Sequence, residues 1–381
     1  MLNLGCLFTM YCSDAGLGHI FLSLCGNWRS TRLSARMIVP NAQEQLRSAD
    51  LMEAVPRLTK WLVYRQPAWP QRLTERRLVR ALDSFDAVYS FPHISFTTLR
   101  DIQKRGKPVV VERINCFGGK ARQILEPEYK MLGVAPQQPF ETWEIEPERA
   151  QIEAADFHFA PSPEVETSLR EIGISERKII PTSYGWSPDR FPDAAASRRL
   201  REHPTVLFMG SLCVRKGVHL ILRAWEKAQI RGRLVLCGRV EPAMARLVEE
   251  AQRRGDVEYR PYTSQADRLY QEADIFAFPS LEEGGPLVTY EAMAHGLTVI
   301  VSPMGAGAIV RNEIDGVILP PHDTDAWVDA LRRFAGSGEL RRRFGAAAQA
   351  RAAEFTWDKV AKKRADTMLG RLGLHPESQN D

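Results

Sequence analysis

Two glutamates, Glu283 and Glu291, bracket a glycine-bearing turn in Phe-Pro-Ser-Leu-Glu-Glu-Gly-Gly-Pro-Leu-Val-Thr-Tyr-Glu-Ala-Met-Ala-His-Gly, residues 278–296. The apolar run Ile275 to Phe278 predicts a strand leading into the turn. Pro286 suits the first turn of a helix, where its missing N–H costs nothing, and Gly296 suits the helix end. Such a helix start, at or near Pro286, offers free N–H groups and a positive dipole end, which suit a phosphate. The two carboxylates can accept hydrogen bonds from hydroxyls. Gly284 and Gly285 allow close backbone approach to a ligand. Glu291 also interrupts an otherwise apolar face with Leu287 and Ala294. A molecule with phosphate and many hydroxyls, such as a sugar nucleotide, fits these groups. Solvated helix-end charges fit them equally well.

A second anion signal lies upstream. Thr205 to Met209 predicts a strand, followed by Gly210-Ser-Leu-Cys-Val-Arg-Lys-Gly217 and a helix from Val218 to Ala228. A glycine-bounded loop with Arg215 and Lys216 can neutralise a pyrophosphate, although adjacent cations are more often plain surface charge. Gly238 ends the next strand, and Arg260 to Tyr262 close the one after.

Strand-like and helix-like runs alternate along the whole chain, which predicts an α/β protein with parallel sheets and crossover helices. The first-half strands are Leu4 to Met10, Ala35 to Val39, Ala87 to Phe91, Pro108 to Glu112 and Phe157 to Pro161. Ligands in such sheets bind beyond the carboxyl ends of strands. Those ends select Gly16, His93, Glu112, Arg113 and Asn115 as acceptor-side candidates. A lone histidine is more often structural, and Glu112-Arg113 fits a local ion pair as well as a site.

The 278–296 stretch resembles the E-x7-E segment of retaining glycosyltransferases with the GT-B fold, specifically the GT4 family, and Ala-Met-Ala-His-Gly is that family's usual continuation. The resemblance covers roughly residues 204–355 well and the first half more generally. It implies two Rossmann-like domains facing a cleft, with the nucleotide-sugar donor on the second and the acceptor on the first. It implies that Glu291 holds the ribose hydroxyls, Glu283 a hydroxyl of the transferred sugar, and Lys216 the diphosphate. The N–H groups near Leu287 and Val288 would share that last task, and the loop with Tyr262 would border the base. Retention would proceed by substitution on one face of the sugar. Two departures stand out. Ser211 replaces an arginine common after the first glycine, with Arg215 as its substitute, and the family's frequent acceptor-side histidine is missing near Glu112. With no Asp-x-Asp motif in a suitable loop, no metal and no cofactor beyond the nucleotide-sugar co-substrate is expected.

Length and charge set the frame. A chain of 381 residues calls for two domains. The boundaries read as 1–192, a linker at 193–204, and 205–356, with a helix at 357–375 returning to the first domain. A net charge of +4 does not by itself imply nucleic acid, and none is expected as a partner. The distribution is uneven. Residues 29–80 carry eleven Lys or Arg against four acids, and residues 126–176 carry three against twelve. Within the basic stretch, Trp61, Tyr64 and Trp69 interleave with cations, and Pro67 and Pro70 interrupt it. A solvated helical face is the first expectation there, and peripheral contact with an anionic membrane is the second. Six cysteines without metal-ligand spacing suggest buried thiols in a reducing compartment. The apolar start reads as a first strand rather than a signal peptide, and no run of eighteen apolar residues exists. These points predict a cytoplasmic protein, with the inner membrane face as its peripheral site. The acceptor would be a saccharide, a polysaccharide or a lipid-linked precursor. The rivals are an epimerase or hydrolase of the same fold and a non-catalytic nucleotide-binding scaffold.

Overall fold

The computed structural model describes residues 1–28, 32–194 and 201–373. Strands form where short β-branched and apolar runs can be covered on both faces. Thr205–Met209, Ile275–Phe278 and Thr298–Val301 are buried throughout, as a parallel sheet between helix layers requires.

In the first half, β1 (Leu2–Leu7), β2 (Leu33–Val39), β3 (Leu51–Glu53), β4 (Ala87–Ser90), β5 (Val109–Glu112), β6 (Phe157–Ala160) and β7 (Ile179–Pro181) form a seven-stranded sheet ordered β3-β2-β1-β4-β5-β6-β7. Its helices are α1 (Gly16–Trp28), α2 (Lys60–Val63), α3 (Ala68–Arg80), α4 (Phe96–Lys104), α5 (Gly118–Leu132), α6 (Ile145–Ala154) and α7 (Pro163–Glu171). In the second half, β8 (Thr205–Met209), β9 (Arg233–Cys237), β10 (Val257–Arg260), β11 (Ile275–Phe278), β12 (Thr298–Val301) and β13 (Val317–Ile318) form a six-stranded sheet ordered β10-β9-β8-β11-β12-β13. Its helices are α8 (Val218–Ala228), α9 (Pro242–Gln252), α10 (Ala266–Glu272), α11 (Leu287–Ala294), α12 (Pro303–Ala306), α13 (Thr324–Ala335) and α14 (Gly338–Ala352). The last helix, α15 (Trp357–Arg371), packs on α1, where Trp28 Nε1 donates to the Ala361 carbonyl at 2.9 Å.

Each sheet reverses its strand order once, between β1 and β4 and between β8 and β11. At such switch points adjacent loops diverge and leave a crevice for a ligand. The expected α/β architecture is therefore present twice.

Some local expectations need correction. β1 ends at Leu7, leaving Phe8 to Met10 in the loop. The edge strands β3 and β7 add to the strands expected from sequence, and β7 lies in a proline-rich run, 179–192. Three residues are too few to display a period of two. After β12 the chain makes the helical turn α12, capped by Ser302, whose Oγ accepts from the Gly305 N–H. Of the expected linker, residues 195–200 lie outside the described residues, as do 374 and 375 of the returning helix.

Candidate active site

The turn after β11 brings the focal residues together. Pro286 caps α11, so Leu287 and Val288 open the helix with N–H groups that have no intrahelical acceptor. Gly296 follows the helix at φ +66°, a left-handed conformation that favours glycine. Glu283 precedes the helix, is 9% exposed, and forms an ion pair with the Lys216 ammonium.

Lys216 ends a 3₁₀ turn after β8 that packs directly on the 279–283 turn. The Arg215 carbonyl accepts from the Leu281 N–H at 2.9 Å and from Ser280 Oγ at 3.3 Å. Gly217 sits at φ +70°, and any Cβ there would strike the Pro279 carbonyl. Burial, and then the neighbouring Arg215 guanidinium, push the Lys216 pKa well below its usual value. The Cys213 and Glu282 charges act in the opposite direction.

Arg215 is occupied differently. Its Nη1 donates to the Glu282 carbonyl at 3.2 Å and to Glu282 Oε2 at 3.1 Å. Glu282 also accepts from Cys116 Sγ of the first half at 3.3 Å. Sequence reasoning missed Glu282. The available signal was charge matching, since the pair Glu282-Glu283 answers the pair Arg215-Lys216.

Glu291 lies deeper along α11. Tyr270 donates its hydroxyl to Glu291 Oε2 at 2.8 Å, which fixes the carboxylate. Burial raises the Glu291 pKa, and Tyr270 and then Arg190 lower it. Arg190, also missed, lies near enough to Glu291 to lower its pKa, and its Nη1 donates to the Asp14 carbonyl of its own half at 3.2 Å. That contact brings the start of α1, with Gly16 at φ +55°, toward the Glu291 end of the site. Burial, followed by Arg190, lowers the His19 pKa to about 4, so this imidazole is neutral at pH 7.

Gly210 and Gly238 sit at φ +141° and +148° at the ends of β8 and β9, and a Cβ at 238 would collide with the Gly210 carbonyl. Tyr262 is 62% exposed at the rim, with the Arg239 guanidinium 5.7 Å from its ring centroid.

On the first-half side a cavity of about 1180 Å³ is lined by His93, Arg113, Asn115 and Trp143, with Arg215 and Glu282 from the second half. His93 has φ +77°, a strained conformation outside glycine, of the kind that clusters at functional sites. Burial, and then Arg113, lower its pKa, so it too is neutral at pH 7. Arg113 is buried and pairs with Glu148 at 2.5 Å. Arg113 Nε and Trp143 Nε1 have no acceptor among the described residues.

Glu112 corrects the sequence reading. It is 0% exposed and does not face the cavity. Its carboxylate accepts from Tyr89 at 2.8 Å and from Arg364 of α15 at 2.7 Å. Nor do Glu112 and Arg113 pair with each other, because adjacent residues at a strand end point to opposite sides.

The two halves meet at Gly284, where a Cβ would collide with the Ile114 carbonyl, and at Gly285, where it would lie 2.6 Å from the Tyr184 ring. Gly284→Ala is expected to spread this contact at a cost of about 1–3 kcal/mol. Small-angle scattering should show a larger radius of gyration, and a thermal melt a lower melting temperature. Unchanged values would mean that the Ile114 loop yields freely. Among the described residues, no group of three or more His, Cys, Asp or Glu is placed to hold a metal, and no helix is long and apolar enough to cross a membrane.

Residues 203–337 match the family model described as glycosyl transferases group 1. A D-inositol 3-phosphate glycosyltransferase of Xylanimonas cellulosilytica is 31% identical over 224 residues, covering 53% of this chain and 54% of that protein. The counterpart of Streptomyces griseus is 36% identical over 107 residues, 28% of this chain and 23% of that one. The chain thus spans about half or less of these two relatives. Among solved structures, sucrose-phosphate synthase from Thermosynechococcus elongatus superposes with a TM-score of 0.70 at 20% identity, covering 98% of this chain and 100% of the other. WaaG, a glycosyltransferase involved in lipopolysaccharide biosynthesis, gives 0.67 at 17% identity, covering 97% and 100%. Anabaena HepE in complex with UDP-glucose gives 0.65 at 13% identity, covering 97% and 100%.

Proposed function

From a GT4-like chain of GT-B fold whose residues 203–337 belong to the group 1 glycosyl transferases, we propose a glycosyltransferase that moves a sugar from a nucleoside-diphosphate sugar to a saccharide or lipid-linked acceptor, with retention and without a metal. One observation carries the reading. The Lys216–Glu283 pair stands at the opening of α11, at the switch point between β8 and β11, with Glu291 fixed by Tyr270 further along the same helix.

In this reading the diphosphate lies against the Leu287 and Val288 N–H groups and draws Lys216 off Glu283. Glu283 is then free to accept from a hydroxyl of the transferred sugar. Charge that develops on the leaving oxygen meets a fixed ammonium and a helix dipole, a large catalytic contribution in general. Glu291 accepts from the ribose hydroxyls. The acceptor occupies the cavity with His93, Arg113 and Asn115. A structure with bound UDP-glucose among the fold neighbours supports this class of donor. The six cysteines are free and buried, which suits a reducing, cytoplasmic compartment.

A thermal-shift screen of UDP, GDP and ADP, with and without a chelator, tests this. A ligand bound only to the folded state raises its melting temperature. One nucleotide should stabilise the wild type equally with chelator present, and Glu291→Ala should lose most of that shift. Stabilisation that needs a divalent ion would overturn metal independence. No shift with any nucleotide at millimolar concentration would overturn the donor site itself.

A further inference from the structure

Residues 57–80 carry seven Lys or Arg and a single acid, Glu75. That acid is turned inward. Its carboxylate accepts from the Ser95 N–H and Oγ at 2.7 Å and from Thr98 Oγ1 at 2.9 Å. The cations are exposed, and Arg76, Arg77 and Arg80 have no ion-pair partner among the described residues.

The same segment exposes apolar side chains. Leu58 is 91% and Trp61 67% exposed, and Leu62, Tyr64 and Trp69 are exposed as well. They are five of the eleven exposed large hydrophobics among the described residues, concentrated in one short stretch. A merely solvated face, the first expectation from sequence, would not need them. Lys60 lies 5.0 Å from the centroid of a further ring, Tyr11, and 5.9 Å from that of Tyr64.

Helix α3 sorts these features. Its buried side carries Pro70, Thr74 and Leu78. The opposite side carries Trp69, Leu73, Arg76 and Arg80, spaced three and four apart in one row. At the far end of that row Arg76, Arg77 and Arg80 line a second cavity, of about 300 Å³, with Met52 and Leu73 as apolar walls. Three unpaired guanidiniums around one hollow repel one another unless an anion sits between them, and guanidinium forks suit phosphate oxygens.

We infer that the α2–α3 face docks on an anionic bilayer. The Arg76–Arg77–Arg80 hollow takes the phosphate of a lipid headgroup, and Trp61, Leu62 and Trp69 enter the interface. Exposed tryptophan beside arginine is the composition that a bilayer surface accepts, whereas a soluble polyanion has no use for the apolar ridge. The surface contains none of the donor-site residues, so it stands whether or not the cleft transfers a sugar.

Co-sedimentation of the full chain with vesicles tests it, using phosphatidylcholine alone and with about one third phosphatidylglycerol, at low and physiological salt. The protein should pellet only with phosphatidylglycerol and less so at higher salt. Replacing Arg76, Arg77 and Arg80 by Gln should weaken that binding about a hundredfold. Trp61→Ser with Leu62→Ser should also release it, while leaving retention on heparin, a soluble polyanion, intact. Both sets change exposed positions, and thermal melts verify folding. Absence of pelleting at low salt, equal binding to neutral vesicles, or wild-type vesicle binding by the Trp61/Leu62 variant would each overturn the inference. The last outcome would leave charge alone, with no insertion of the apolar ridge.

Discussion

Lys216→Ala is expected to lower turnover about 10²–10³-fold, the usual loss when one fixed group that stabilises developing charge is removed. The substitution should also weaken binding of the nucleoside diphosphate product, because the same ammonium meets the same phosphates before and after transfer. Glu283→Gln makes the contrasting case. The amide keeps the side chain's size but removes the charge that holds Lys216 in the empty cleft. Diphosphate binding should then hold or tighten, since the phosphates no longer compete with a carboxylate for the ammonium. Turnover should still collapse, because the transferred sugar exchanges a charged carboxylate for a weaker amide oxygen and an NH2 donor, and with it loses its orientation. Titration calorimetry with the nucleotide identified by thermal shift, paired with single-turnover rates, separates the two effects. Wild-type turnover by Glu283→Gln would remove Glu283 from the mechanism. Unchanged diphosphate binding by Lys216→Ala would place the phosphates elsewhere.

That pairing is also where the sequence says most and then stops. Glycines at 210, 217, 238, 284 and 285 announce close backbone contacts, and every one of them except Gly210 meets a hard steric neighbour in the structure. Glu283, Glu291 and Lys216 can be read because each lies a short, fixed distance from a strand end or a helix start. Glu282 cannot be read that way. Its meaning comes from Arg215 and from Cys116, which the chain brings to it from the other half. Arg190 is hidden in a proline-rich run with no periodicity, and only the closed fold sets it near Glu291. The edge strands β3 and β7 fail to show for a related reason, since pairing with a longer neighbour, not their own pattern, makes them strands. Exposure of Trp61 and Trp69 is likewise a three-dimensional fact. Composition gives their interleaving with cations, and the arrangement of α2 and α3 decides which side they face.

Glu112 shows the same limit with the largest expected effect on stability. By position it ends β5 at the mouth of the cleft, the place for a ligand-binding residue. Instead Arg364, delivered by α15, seals it. Arg364 Nη1 donates to Glu112 Oε2 at 2.7 Å, and Arg364 Nη2 donates to the Ser183 carbonyl at 2.7 Å. Both side chains are essentially unexposed. Removing one partner of such a pair strands the other charge away from water, which costs about 3–5 kcal/mol. Arg364→Ala should therefore lower the melting temperature by about 10 °C. The double replacement Glu112→Leu with Arg364→Met should recover much of it, because an apolar pair of similar volume carries no desolvation penalty. Calorimetric unfolding of the single and double variants compares the stranded carboxylate with the apolar pair. A single variant melting like the wild type would mean that water reaches Glu112 once the guanidinium is gone. The consequence for function follows from what β5 leads into. Residues 113–117 carry Arg113, the Ile114 carbonyl that rests on Gly284, and the Cys116 thiol that donates to Glu282. The Glu112–Arg364 pair anchors the base of that loop, so Arg364→Ala should lose turnover at temperatures well below its own melting point, while the double variant regains stability ahead of activity.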